Sequence, residues 1–154
     1  MRKRSRWTIV LSSAVLCVVT LVAFIISQST WLMEEYYIVQ LRSDSTKLQR
    51  DAAEALAKIG SVRAIPYLLT AEMTATERRG VFVVGPNESF LLQALRRICI
   101  VRRAATLPAL KVALEGQQSN MRIIAVNMLS ELQGVAVPEL MRTLRDNDPI
   151  VRAL

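Results

Sequence analysis

The sequence predicts an all-α fold, a short αα-solenoid preceded by one transmembrane helix. Three observations carry that expectation: an uncharged apolar run near the N-terminus, apolar residues at three- and four-residue spacing beyond it, and a proline-led segment that recurs along the rest of the chain. Composition agrees. Hydrophobic residues make up 52% of the chain and aromatics only 5%, as suits helices stacked on helices without a sheet.

The first element follows Arg2, Lys3, Arg4 and Arg6, and runs from Trp7 to Ser27 (WTIVLSSAVLCVVTLVAFIIS) without a charge. At about 1.5 Å per residue, a helix over that run spans roughly 30 Å, the hydrocarbon thickness of a bilayer. Trp7 and Trp31 bracket it where indoles settle in membrane interfaces. Basic residues precede the run and Glu34 and Glu35 follow it, so the positive-inside rule reads 1–6 as a basic cytoplasmic tail and 7–27 as a transmembrane anchor. The expected location is a bacterial-type inner membrane, single-pass, N-terminus in, with the remaining chain on the periplasmic side. A cleaved secretory signal is the competing reading. Ser27 and Ser29 offer small residues for a cleavage site, but the apolar core is longer than the usual ~7 to 15 residues. Either reading exports the rest of the chain.

Residues 28–45 are expected to form a juxtamembrane capping helix, with Tyr37, Ile38 and Leu41 on one side. Repeats then fill 46–154, about three of them, the last incomplete. In the first, Ala52, Ala53, Leu56 and Ile59 mark the buried face of a helix. Thr46 and Gln49 suit a capping box at its start, and Gly60 suits the left-handed residue that ends it. A second helix begins near Ala64 and Ile65, with Pro66 in its first turn, where a missing N–H breaks no intrahelical bond.

Aligned on the proline, AIPYLLTAE (Ala64 to Glu72), TLPALKVAL (Thr106 to Leu114) and AVPELMRTL (Ala136 to Leu144) repeat one pattern, an aliphatic residue before the proline and a leucine two after it. The prolines are 108 − 66 = 42 and 138 − 108 = 30 residues apart. Alanines suited to close packing, Ala52 and Ala53, then Ala94, then Ala125, lie on the helix upstream of each. The pattern restarts at Asp148, a good N-cap, with Pro149 as the first helical residue.

The string RDAAEALAKIGSVRAIPYLLTA (Arg50 to Ala71), with AVPELMRTLRDNDPIVRAL at the C-terminus, resembles the short HEAT-like repeats of the phycobilisome-lyase type, units of about thirty residues. The similarity covers roughly residues 35–154. It implies a solenoid of helical hairpins, and such repeats serve scaffolds, adaptors and a few lyases alike. The middle copy departs from the pattern, offering Ile100 to Arg103 where a Gly turn is expected. Because the last helix stops one turn after it starts, the stack is expected either to continue or to be completed by another molecule.

Catalytic chemistry finds little support. The chain has no histidine, which excludes a histidine-based triad and the commonest zinc ligand. The acidic residues fall singly in caps, turns and exposed helix positions. Gly80 to Gly85 (GVFVVG) lacks the Lys and Ser/Thr of a phosphate loop. Cys99 suits a small buried apolar residue. The expectation is a protein that is not an enzyme, with no cofactor and no metal.

Binding features stand out instead. The longer proline interval places an insertion at 74–87, whose Val81, Phe82, Val83 and Val84 suit an extended arm able to pair with another chain, or a cover folded over the stack. Arg78, Arg79, Arg96, Arg97, Arg102 and Arg103 cluster in sequence, although the chain beyond its basic tail has 16 basic against 13 acidic residues. Second helices of stacked repeats usually line the groove. Positions one and four after each proline are Tyr67 and Thr70, Ala109 and Val112, Glu139 and Arg142. The candidate partner-binding residues are therefore Arg78, Arg79, Val81, Phe82, Val83, Tyr67, Thr70, Glu139 and Arg142.

These readings point to a membrane-anchored protein-protein interaction scaffold or adaptor. Its partners would be protein, with membrane lipid met through the N-terminal helix, and no nucleic acid. Two other classes fit the same residues: a structural subunit of a larger membrane complex, and a lyase-like or chaperone-like binding domain, possibly secreted after signal cleavage.

Overall fold

The computed structural model describes residues 18–20, 29–79 and 89–154. The expected basic tail, almost all of the expected anchor at 7–27 and the insertion residues 80–87 lie outside them, Val81, Phe82 and Val83 included. Among the described residues no helix is long and apolar enough to cross a membrane. The chain divides into two compact units, Met1–Tyr36 and Tyr37–Leu154. The described residues of the first, 18–20 and 29–36, are helical, and Trp31, Leu32, Met33 and Tyr36 are exposed.

The described part of the second unit is all-helical. Helical residues 37–40 lead into seven helices: α1 (Thr46–Ile59), α2 (Ile65–Arg79), α3 (Phe90–Val101), α4 (Arg103–Leu114), α5 (Ser119–Glu131), α6 (Val137–Thr143) and α7 (Pro149–Ala153). Short 3-10 turns at Val62–Ala64 and Gln133–Ala136 lead into α2 and α6. No strand occurs among the described residues.

Ala52, Ala53, Leu56 and Ala57 bury one face of α1. The start of α1 differs from the expected capping box. Its N-cap is Ser45, which accepts no side-chain cap bond, and Gln49 reaches back past it to the Ser43 and Leu41 carbonyls at 2.8 and 3.2 Å. Gly60 ends the helix as expected, at φ 69°, its N–H shared between the Leu56 and Ala57 carbonyls. Pro66 is the second residue of α2, and the helix continues through Arg79, so residues 74–79 of the expected insertion belong to it.

The middle copy bends differently from its proline pattern. α3 stops at Arg102 (φ −112°, ψ 26°), and α4 begins at the next residue, which leaves Pro108 inside the helix rather than in its first turn. The other two entries keep the pattern: Pro138 and Pro149 sit at the starts of α6 and α7, and Asp148 Oδ1 accepts from the Ile150 N–H at 2.8 Å.

Packing follows chain order. α1 touches α3, α3 touches α5 and α5 touches α7, while α2 touches α4. One hydrophobic core runs from Ile38 and Leu41 through Leu56, Leu68, Leu95, Ile98, Leu110 and Ile124 to Leu132 and Ala136. Ile123, Val126 and Val151 form a smaller cluster, against which Leu114 and Leu140 also pack.

The turns before α5 and α7 are held in one way. Arg122 Nη1 donates to the carbonyls of Gly116 and Gln117, and Arg152 Nη1 to those of Asp146 and Asn147. Each arginine thus grips the main chain six and five residues behind it, and 152 − 122 = 30 matches the proline interval. Gln49 plays the same part before α1, through the carbonyl of Ser43.

Candidate functional site

A concavity of about 740 Å³ lies between the 41–46 turn, one face of α2 and the start of α3. Tyr67 and Thr70, placed on that face by the turn that Pro66 opens, line it together with Arg78 one helical flank further on. Three residues expected at a binding surface therefore share one groove. Thr70 is exposed, and its hydroxyl donates to the Pro66 carbonyl at 2.8 Å.

Two rings of this groove are each stacked by a cation, Arg42 from within it and Arg50 from the adjoining concavity. The Arg42 guanidinium stands over the Tyr67 ring at 5.5 Å, and that of Arg50 over the Phe90 ring at 5.4 Å. Such stacking orients a ring while leaving the cation in water. Arg78 pairs with Asp44 at 3.3 Å, an exposed contact that holds the two side chains only loosely. Leu41, Ala71 and Leu91 give the groove an apolar base.

Glu72 also reaches this groove, although only 1% of it is exposed. Its carboxylate accepts from the Thr76 hydroxyl at 3.3 Å and from the Ser89 hydroxyl. Ser89 is at the same time the N-cap of α3, accepting from the Leu92 N–H at 3.2 Å. One hydroxyl thereby ties α2 to the start of α3 and supplies a buried carboxyl group with a donor.

Glu139 and Arg142 lie elsewhere, on a smaller concavity of about 320 Å³ with Lys111, Leu114 and Asp146. Glu139 is buried against Lys111, whose ammonium approaches its carboxylate to 2.5 Å. That hydrogen bond holds the Glu139 carboxyl below its ordinary 4.5, against the opposing effect of burial. Glu72 and Glu139 correct the expectation that the acidic residues are all caps, turns or exposed positions. Of the remaining column residues, Ala109 is half-buried and Val112 is exposed.

Four of the arginines clustered in sequence have different neighbours. Arg78 meets Asp44, and Arg96 lies 3.4 Å from Glu131. Arg97 stands close enough to Glu54 to add to the lowering that Lys58 chiefly causes there. Arg102 stands beside Gly60. Arg42, Phe90 and Glu72 were missed by sequence reasoning. The only sequence signal for any of them is the serine before Phe90, a capping residue at a helix start.

Among the described residues no group of three or more His, Cys, Asp or Glu side chains converges as a metal site would require. Comparison with known protein families and with curated proteins finds no match to this chain.

Proposed function

We propose that the chain is a HEAT-like solenoid, held at a bacterial-type inner membrane by its apolar N-terminal run and facing the periplasm, where it works as a non-catalytic scaffold for a protein partner. The observation that carries this reading is the groove beside α2, in which Tyr67, Thr70 and Arg78 meet Arg42 and Phe90. Aromatic and arginine side chains dominate the energetics of protein-protein contacts, and a shallow apolar concavity of this size accommodates one or two side chains of a partner segment.

The HEAT-like part of the reading draws on three facts. The alternate helices α1, α3, α5 and α7 touch in turn, one core runs from Ile38 to Ala136, and the arginine grip recurs after 30 residues. Repeats of this kind cannot bury their apolar faces singly, so stacking and stability are one property. The membrane part draws on the uncharged Trp7 to Ser27 run and the basic residues before it.

A photo-crosslinking residue at Thr70, introduced into the full chain in its native membranes, tests the groove. The expected result is a discrete protein adduct that Tyr67→Ala reduces roughly tenfold. Absence of any adduct, or one indifferent to Tyr67, would overturn the reading. Retention of the protein in membranes washed with alkaline carbonate tests the anchor, and release would favour a cleaved signal.

A further inference from the structure

Arg78, Arg96 and Arg122 each meet a carboxylate, that of Asp44, Glu131 and Asp146 in turn. Arg42 and Arg50 stand over aromatic rings instead, those of Tyr67 and Phe90. Both are exposed, and neither guanidinium has a hydrogen bond or a carboxylate partner among the described residues. A ring face attracts a cation without accepting a conventional hydrogen bond, so the N–H groups of both arginines remain to be used. The contact also narrows the wandering of a long side chain, a freedom that a ligand would otherwise have to remove on binding.

The two cations belong to neighbouring hollows. Arg42 lines the groove beside α2, Arg50 lines a concavity of about 540 Å³, and Ser89 and Phe90 line both. The acidic residues of these walls are engaged: Asp44 by Arg78, Glu54 by Lys58 at 3.0 Å, and Glu72 by the hydroxyls of Thr76 and Ser89. The charge left open, one guanidinium in each hollow, is therefore positive.

From this complementarity we infer that the groove receives an acidic segment of a protein partner, an apolar side chain resting on its base and two flanking carboxylates held by Arg42 and Arg50. The inference rests on the reading of the groove as a partner site and names the chemistry of that partner. Guanidinium and carboxylate pair through two parallel bonds, as Arg122 and Asp146 do within this chain, so geometry as well as sign favours an acidic side chain. A basic segment would find Asp44 already paired and two cations opposing it. An anionic membrane surface, being flat, would not reach the base of the groove and would meet Asp44, whose side chain is 94% exposed. A second copy docking the same face symmetrically would oppose like charges.

The probe is a panel of short fluorescein-labelled, amidated peptides with a central pair of leucines between two glutamates. The separation of the glutamates varies across the panel, each extended residue adding ~3.3 Å, and a matching panel carries glutamine for glutamate. Titrated into the full chain in phosphatidylcholine nanodiscs, at least one glutamate peptide should bind saturably, and its glutamine counterpart roughly tenfold more weakly. Arg42→Gln and Arg50→Gln should each weaken the glutamate peptide roughly tenfold and scarcely move the glutamine peptide. Arg145→Gln, the same loss of charge outside both hollows, should change neither. Circular dichroism should show all three variants folded, since the residues are exposed. Glutamate and glutamine peptides that bind equally, both weakened by Tyr67→Ala, would overturn the acidic assignment while the groove reading stands. No binding by any peptide overturns it too, and the groove reading falls with it only if the Thr70 adduct is also absent. A loss on Arg145→Gln equal to that on Arg42→Gln would mean that net charge alone attracts the peptide, which overturns the inference. Binding of short-chain phosphatidylglycerol that needs Arg42 and Arg50, where no peptide binds, would assign the two cations to lipid headgroups instead.

Discussion

Arg122 closes on Asp146 with two parallel N–H···O contacts of 3.0 and 3.1 Å, although the two residues stand 24 apart in the chain. Both side chains are about 15% exposed, so the pair is shielded from solvent far more than a surface ion pair. Arg122→Ala removes this contact together with the two carbonyl bonds to the 116–117 turn, and should lower stability by about 2 to 3 kcal/mol. Urea unfolding should show the loss, and Asp146→Asn, which keeps an acceptor oxygen, should show less of it.

Acid should loosen the same region. Asp148 sits below its ordinary 3.8 because the Ser119 hydroxyl and then the Ile150 N–H donate to it. For Asp146, burial pushes upward but is outweighed by the Asp148 N–H and by Arg122, leaving it lowered too. A lowered carboxyl in the fold means that the unfolded chain binds the proton more readily, so this stabilisation is complete above the unfolded value and vanishes as pH falls through the folded ones. The urea midpoint should therefore drop between about pH 5 and pH 2, and Asp148→Asn should flatten part of that drop.

Gly60 is a position where the backbone dictates the residue. Its φ of 69° strains any L side chain, and an added Cβ would come within 3.1 Å of Arg102 Nε. Gly60→Ala should cost roughly 1 to 2 kcal/mol, and Gly60→Asn less, because asparagine tolerates the left-handed region better. Adding Arg102→Ala relieves the contact and not the strain, so thermal melting of the double variant should recover little of the loss.

Cys99 should be nearly inert while the chain is folded. Burial pushes its thiol up to about 11, only partly offset by the Thr106 hydroxyl. In a Cys17→Ser background at pH 8, maleimide labelling of the native protein should run on the order of a hundredfold slower than in urea. Equal rates would mean that α3 opens freely.

The helices that sequence placed well are those whose signals are local. Gly60, Pro66 and the Asp148–Pro149 pair each act within a few residues, and each marks the boundary it should. The break between α3 and α4 was illegible because no glycine or proline makes it. Arg102 turns the chain while its N–H still bonds the Ile98 carbonyl at 2.8 Å, and Pro108 then sits in a helix that has already begun. In the groove, Tyr67 and Thr70 were legible from their places after Pro66, whereas Arg78, expected in an insertion, stands instead near the end of the same helix. Arg42, Glu72 and Phe90 were not, since their roles depend on partners brought together by folding, such as the Ser89 hydroxyl that reaches Glu72 from 17 residues away. The burial of Glu139 depends likewise on Lys111 from the neighbouring helix.

The clasp that Arg122 and Arg152 apply to the turns behind them falls on main-chain oxygens, which every amino acid possesses. Gly116 has no side chain and Asp146 carries a carboxylate, yet both turns are fastened alike. A hinge secured this way is blind to the identity of what it secures. Apart from Asp146, whose carboxylate Arg122 also holds, the side chains of those bends take no part in the clasp, which needs only the long cationic arm in the helix that follows.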